Sequence, residues 1–318
     1  MTVIKSQEYA AFKERRKLWI ECLSGEDRNS IIQQIQGMIW DAATFNVVNE
    51  ARKLARPKKG GGVQLNGLVH GLINRGFVAS QTLALRRLVD GSELEGKRGV
   101  YSLVALLQDM GKNAHLLTRA HLFAAQDLPM EGHAALHCVL EDQAATPSEP
   151  ADPRMADDLT LMRMERRHEA MDRLAGVDER TRTWQDAVRK GVFLLLKDKV
   201  MKACADAKKY VDKFVAHAAT PYSRRKVNAD AIALTLDHLG HAHKTICEVV
   251  NFIDAYLLSG NNPGFLKVPQ YNQFEYIERP LVSGRGIGRL GDVWQEYLRE
   301  TEKWGESGLD KFEAELGG

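Results

Sequence analysis

The sequence predicts an all-α fold, a bundle of long amphipathic helices with additional helices at both ends. Three observations lead there. Apolar residues recur at steps of three and four over long stretches, the spacing that returns side chains to one face of a helix. Alternation at every second residue, which a half-buried strand requires, is nearly absent. The 9 prolines among 318 residues fall mostly in a few places, so the stretches between them are free to be helical.

Two helical stretches fill the chain from its first residues to about Arg56, parted at Ser24 to Asn29, and Pro57, Gly60, Gly61 and Gly62 stop the second. A third runs from about Val63 to Leu88 and ends before Asp90 and Gly91. A fourth opens at Ser102, whose hydroxyl can accept from the free amides of the first turn, and Gly111 punctuates it. Helical patterning continues through His121 and over Glu131 to Leu140. Pro147, Pro150 and Pro153, set among Ser, Glu and Asp, make 144–158 a flexible loop or linker. After a short helix from about Met155 to Leu174 comes the most regular pattern, Asp178 to about Ala218. Its apolar stripe reads Trp184, Val188, Val192, Leu195, Leu196, Val200, Cys204, Ala207, Val211 and Phe214, and Pro221 ends it. Asn228 is the expected cap of the next helix, striped by Ile232, Leu236, Leu239, Ile246, Val250, Ile253 and Leu257. Beyond Gly260 an aromatic loop with Phe265, Tyr271, Phe274 and Tyr276 and the glycine-rich run Gly284 to Gly291 lead into a last helix near Trp294 to Trp304. The expected organisation is an N-terminal helical extension over 1–62, a helical bundle over 63–258 and a C-terminal segment over 259–318.

With 44 Lys plus Arg against 42 Asp plus Glu the net charge is +2, which excludes a polybasic coat or an acidic tail as a description of the whole chain. A composition 44% hydrophobic and 27% charged excludes whole-chain disorder. No apolar run outlasts Val192 to Leu196, far short of the roughly 18 residues of a membrane span. The charged residues from Lys5 to Lys17 leave no apolar core for an export signal, so the expected compartment is the cytoplasm. There Cys22, Cys138, Cys204 and Cys247, which show no C-x-x-C spacing, read as reduced core thiols.

One helix face combines the elements of phosphate chemistry. Lys209, Lys213 and His217 are four residues apart and share a face, flanked by Asp206 and Asp212. Two ammonium groups can hold a phosphate, and an imidazole with a reference pKa near 6.5 can move a proton at neutral pH. A solvated helix face shows the same alternation of Lys and Asp, and spacing leaves both readings open.

The words around this face carry a resemblance. Asp212-Lys213-Phe214-Val215-Ala216-His217 is similar to the (R)-D-K-x-x-A-H signature of HEPN domains, all-α nucleotide-binding and ribonuclease modules. Leu85-Arg86-Arg87-Leu88-Val89-Asp90 and Ser102-Leu103-Val104-Ala105-Leu106-Leu107 resemble the L-R-R-L-x-D and S-L-x-x-L-L words of an abortive-infection subfamily. The words come in the family's order and span about Val63 to Leu257. The resemblance implies a homodimeric helical bundle, with His217 as the catalytic histidine of a metal-independent RNA-cleaving toxin or phage-defence effector and Asp212 as the polar residue of its motif. The motif arginine is replaced by Val211, a member of the apolar stripe. That departure gives the alternative, a non-catalytic module that binds nucleic acid or a partner protein such as an antitoxin.

The charge missing at Val211 has several possible suppliers. Lys209 and Lys213 lie on the same face, although a lysine is a point charge and lacks the bidentate fork of an arginine. Arg224 and Arg225 follow His217 after the turn at Pro221 and suit a nucleic-acid backbone. Arg86 and Arg87 point about 100° apart on their helix, so one can pair with Asp90 while the other reaches the cleft. His133 and His137 beside Cys138, and His238, His241 and His243 with Asp237, have metal-like spacings that nothing in the sequence completes. Neither a metal nor an organic cofactor is expected.

Overall fold

The computed structural model describes residues 6–54, 67–130, 153–215, 234–260, 264–266, 269–272, 274–275 and 288–301, and the chain divides into two compact units, Met1–Lys267 and Val268–Gly318. The described residues of the first unit form an all-α fold. Its helices are α1 (Ser6–Ser24), α2 (Ile31–Leu54), α3 (Gly67–Leu88), α4 (Leu103–Lys112), α5 (Arg119–Ala124), α6 (Pro153–Ala175), α7 (Lys190–Ala203), α8 (Ala205–Tyr210) and α9 (Leu236–Phe252). Both α8 and α9 continue into a wider, π-type turn, Val211–Val215 and Ile253–Leu258. In the second unit a helix, α10, covers 288–301 and exposes Leu290, Trp294, Tyr297 and Leu298. Among the described residues no helix is long and apolar enough to cross a membrane.

One core joins α1 and α2 to the helices that follow. Phe12 and Trp19 of α1, Ile31 and Ile35 of α2, Leu85 and Leu88 of α3, Phe193 and Val200 of α7, and Ile246 and Val250 of α9 are all buried in it. α4 sits at its centre, with Leu103 to Leu107 and Met110 buried, and it packs against α7 and α1. Ser102 caps it as its sequence predicts, accepting from the Ala105 amide at 3.0 Å. The break between α1 and α2 is set by Asp27, whose carboxylate accepts from the Asn29 amide at 2.7 Å and whose carbonyl accepts from Ser30 at 2.8 Å. The thiols of Cys22 and Cys204 are free and buried, and burial pushes each up to about 12.

The single long helix expected over 178–218 is not formed. Its first part, 178–189, is irregular chain, because short polar side chains there satisfy backbone groups that a helix would otherwise use. Asp178 accepts from the amides of Arg180 and Thr181 at 2.9 and 3.0 Å, and Asp186 from the amide and hydroxyl of Thr183, both at 2.7 Å. Gly176 stops α6 with φ +74, a left-handed conformation that glycine adopts without strain. The freed segment then pairs with the start of α5. Arg119 N donates to Asp186 O at 2.8 Å and Val188 N to Leu117 O at 3.0 Å, around a single antiparallel bridge between Thr118 and Ala187. Leu195, expected in the core, is 69% exposed, since α7 turns Phe193 and Val200 inward instead. The expected cap at Asn228 lies outside the described residues; α9 is capped by Thr235, which accepts from the His238 amide at 3.1 Å.

The same pairing buries Arg119. Its Nε donates to Thr183 O at 3.1 Å, its Nη1 to Nδ1 and the carbonyl of His168 at 3.0 and 3.2 Å, and its Nη2 to Asp172 at 2.6 Å and Asp186 at 3.2 Å. Burial pushes the Asp186 carboxyl up, but hydrogen bonds from Thr183 and Arg119, with the Arg119 charge, outweigh it and hold the group below the usual range.

His243, a member of the α9 stripe, is 8% exposed, and its Nε2 has no hydrogen-bond partner among the described residues. Desolvation lowers its pKa to about 4. Between the free-imidazole value near 6.5 and that value, the unfolded chain binds a proton that the folded chain refuses. Stability present above the upper value is therefore lost as the pH falls, by up to about 3 kcal/mol across the window. Urea unfolding of the wild type and of His243→Leu, above and within the window, should give a shallower pH dependence for the variant. Equal slopes would remove His243 from the acid sensitivity.

Candidate functional site

The described parts of the three sequence words, which for the third are residues 212–215, meet in space. Leu85, Leu88, Leu103, Leu106 and Leu107 are buried together, and the Ser102 hydroxyl donates to Asp90 O, tying the end of α3 to the start of α4. Ser92 gives Asp90 two hydrogen bonds, from its hydroxyl at 2.6 Å and its amide at 2.9 Å. These bonds, with a smaller contribution from Arg86, hold the Asp90 carboxyl below its usual range. Arg86 then bridges two carboxylates, with Nη1 at 3.4 Å from Asp90 and Nε at 3.5 Å from Asp212. α3 is thereby fastened to the π-type turn that follows α8.

Of the residues singled out from the sequence, Arg86 and Asp212 are brought together. Val211, at the place of the motif arginine, is an apolar side chain only 1% exposed. Lys209 is exposed, and its ammonium lies 3.9 Å from Asp206 one turn earlier. Lys213 is half-buried on the π-type turn. Arg87 diverges from Arg86, as their adjacency on a helix requires. It is exposed and lines a cavity of about 670 Å³ with Asp27, Arg28, Gln34 and Tyr101. His217, Arg224 and Arg225 lie outside the described residues, as do His133, His137 and Cys138. Among the described residues no group of three or more His, Cys, Asp and Glu side chains could hold a metal ion. The ring of His238 faces the Thr235 amide at the start of α9, and His243 is buried.

Sequence reasoning passes over α6. Arg163, Arg166 and Arg167 stand at i, i+3 and i+4, and that spacing, which gathers three guanidiniums on one side of a helix, is the signal that could have found them. With Gln126, Tyr256 and Ser259 they line a second cavity, of about 570 Å³. Searches against family models, curated proteins and solved structures find no match to this chain.

Proposed function

We propose that this protein is a HEPN-like helical module that binds RNA along the face of α8 and its π-type turn and does not cleave it. The observation that carries this reading is the state of two described positions, that of the motif arginine and that of Arg86. Val211 is buried, and Arg86 is shared between Asp90 and Asp212, so neither offers a free fork to a phosphate in flight. What remains suits a resting backbone: Lys209 on the exposed face, Lys213 on the π-type turn and, from the sequence alone, the cations Arg224 and Arg225. Binding should weaken linearly in log–log form as salt rises. In Lys209→Glu the slope for single-stranded RNA should fall by about 0.7 for each phosphate that is no longer neutralised, read by fluorescence anisotropy. If RNA does not bind at low salt, the reading fails and a protein partner such as an antitoxin takes its place.

A second reading is favoured by the 3.5 Å approach of Arg86 to Asp212, which sets a guanidinium beside the word that lacks its own. In it the protein is a metal-independent ribonuclease, a toxin or phage-defence effector acting as a homodimer, with His217 as acid or base. That role is worth roughly 10²- to 10⁴-fold in rate. Cleavage that is lost in both His217→Ala and Arg86→Ala would establish it over the first reading.

A further inference from the structure

The two buried arginines among the described residues, Arg119 and Arg167, differ in one respect. Arg119 has acceptors on every side of its guanidinium. Arg167, 5% exposed, uses Nη1 alone, which donates to Tyr256 O at 2.6 Å. Its Nε and Nη2 are out of bulk water and have no hydrogen-bond partner among the described residues. Buried charged donors without acceptors are strongly unfavourable, so the fold has a reason to keep them only if something else accepts. The two free groups are neighbours on the side of the guanidinium where Nε–H and Nη2–H run parallel, which grips two oxygens of one oxyanion.

The surroundings fit the same ligand. The cavity of about 570 Å³ that Arg167 lines also takes in Arg163 and Arg166, and none of the described residues that line it is a carboxylate. Like charges at i, i+3 and i+4 repel along a helix unless an anion sits between them. A fourth guanidinium, Arg16 of α1, is anchored by a 2.7 Å bond to Leu258 O; burial first, and then this charge, lowers the pKa of Arg167 to about 10. The rim is fixed. Ser259 has φ 61 and accepts from Gln126 Nε2 at 2.6 Å, and a Cβ at Gly260 would lie 2.0 Å from the Asp254 carboxylate, so the neighbouring residue has to be glycine.

We propose that this cavity binds a phosphate group, its charge met by the guanidiniums of Arg163, Arg166 and Arg167. Several guanidiniums with no carboxylate among the described lining residues favour a dianion over a single carboxylate. The volume lies in the range of small-molecule sites and leaves room beyond the phosphate for the body of a phosphomonoester, beside Tyr256 and Leu128. The site is independent of the RNA face on α8, and Lys209→Glu should leave it unchanged.

Titration calorimetry of the full chain with inorganic phosphate and with adenosine monophosphate, at matched chloride, tests this. Both should bind, and Arg167→Met should raise each Kd by about 10- to 100-fold, the loss expected for hydrogen bonds to a charged group. Tighter binding of the monophosphate makes a phosphomonoester the ligand; equal affinities make it free phosphate. Absence of binding of either probe above the chloride control, or unchanged binding in Arg167→Met, overturns the proposal. Should Arg167→Met fail to fold, the exposed pair Arg163→Gln with Arg166→Gln decides in the same way, by loss or retention of phosphate binding.

Discussion

Arg119→Met should lower the unfolding free energy by about 3–5 kcal/mol, the cost of removing one partner from a buried charge network. The carboxylates of Asp172 and Asp186 would then stay in place with their main counter-charge gone, and Thr183 O and His168 Nδ1 would each lose a donor. Arg119→Lys should recover little of this, because one ammonium cannot reach Thr183, His168 and two aspartates from a single position. Urea unfolding of both variants measures it. The double variant Arg119→Met with Asp172→Leu should be less destabilised than the two single variants added together, since the pair is coupled. A loss below about 1 kcal/mol, the size expected of an exposed ion pair, would show that the network does not clamp 178–189 to α5.

Trp19→Ala should cost about as much, roughly 3–5 kcal/mol, by a different route. Trp19 is fully buried in the common core, and its Nε1 donates to Asp109 at 2.7 Å, a residue of α4 that also accepts from Asn113 Nδ2 at 3.3 Å. Alanine leaves a cavity between α1 and α4 and strips Asp109 of a donor. Trp19→Phe retains most of the volume and loses the bond, so it should cost about 1–2 kcal/mol. The difference between the two variants separates packing from hydrogen bonding. If Trp19→Phe were as damaging as Trp19→Ala, the bond to Asp109 would be the main contribution and packing the lesser one.

The helices that the sequence states most clearly are those whose signals are local. The break at Ser24 to Asn29, the cap at Ser102 and the end of α3 before Asp90 are each written in a few neighbouring residues, and the fold uses each of them. The segment 178–189 misleads because its apolar spacing is genuine. Trp184 and Val188 do pack, Trp184 edge-on to Phe123 at 5.2 Å between ring centroids, but they do so from irregular chain. Periodicity reports which side chains face inward and is silent on whether Asp178 and Asp186 will take the backbone amides for themselves. The meeting of Arg86 with Asp212 joins α3 to a turn far along the chain, and spacing within a helix cannot reveal such a pairing. Arg167 is invisible for another reason: arginines at i, i+3 and i+4 normally mark a solvated face, and burial of one of them depends on where α1 and the end of α9 come to rest.

The Arg119 network also bears on the order of folding. Its side-chain bonds link positions 49 to 67 residues apart, so they cannot form until a long stretch of chain has been closed. The turns of α4 and α7 need no such closure. The guanidinium is thus expected to find its acceptors after the rate-limiting barrier, and the strength of the network governs how long the native state lasts more than how quickly it is reached.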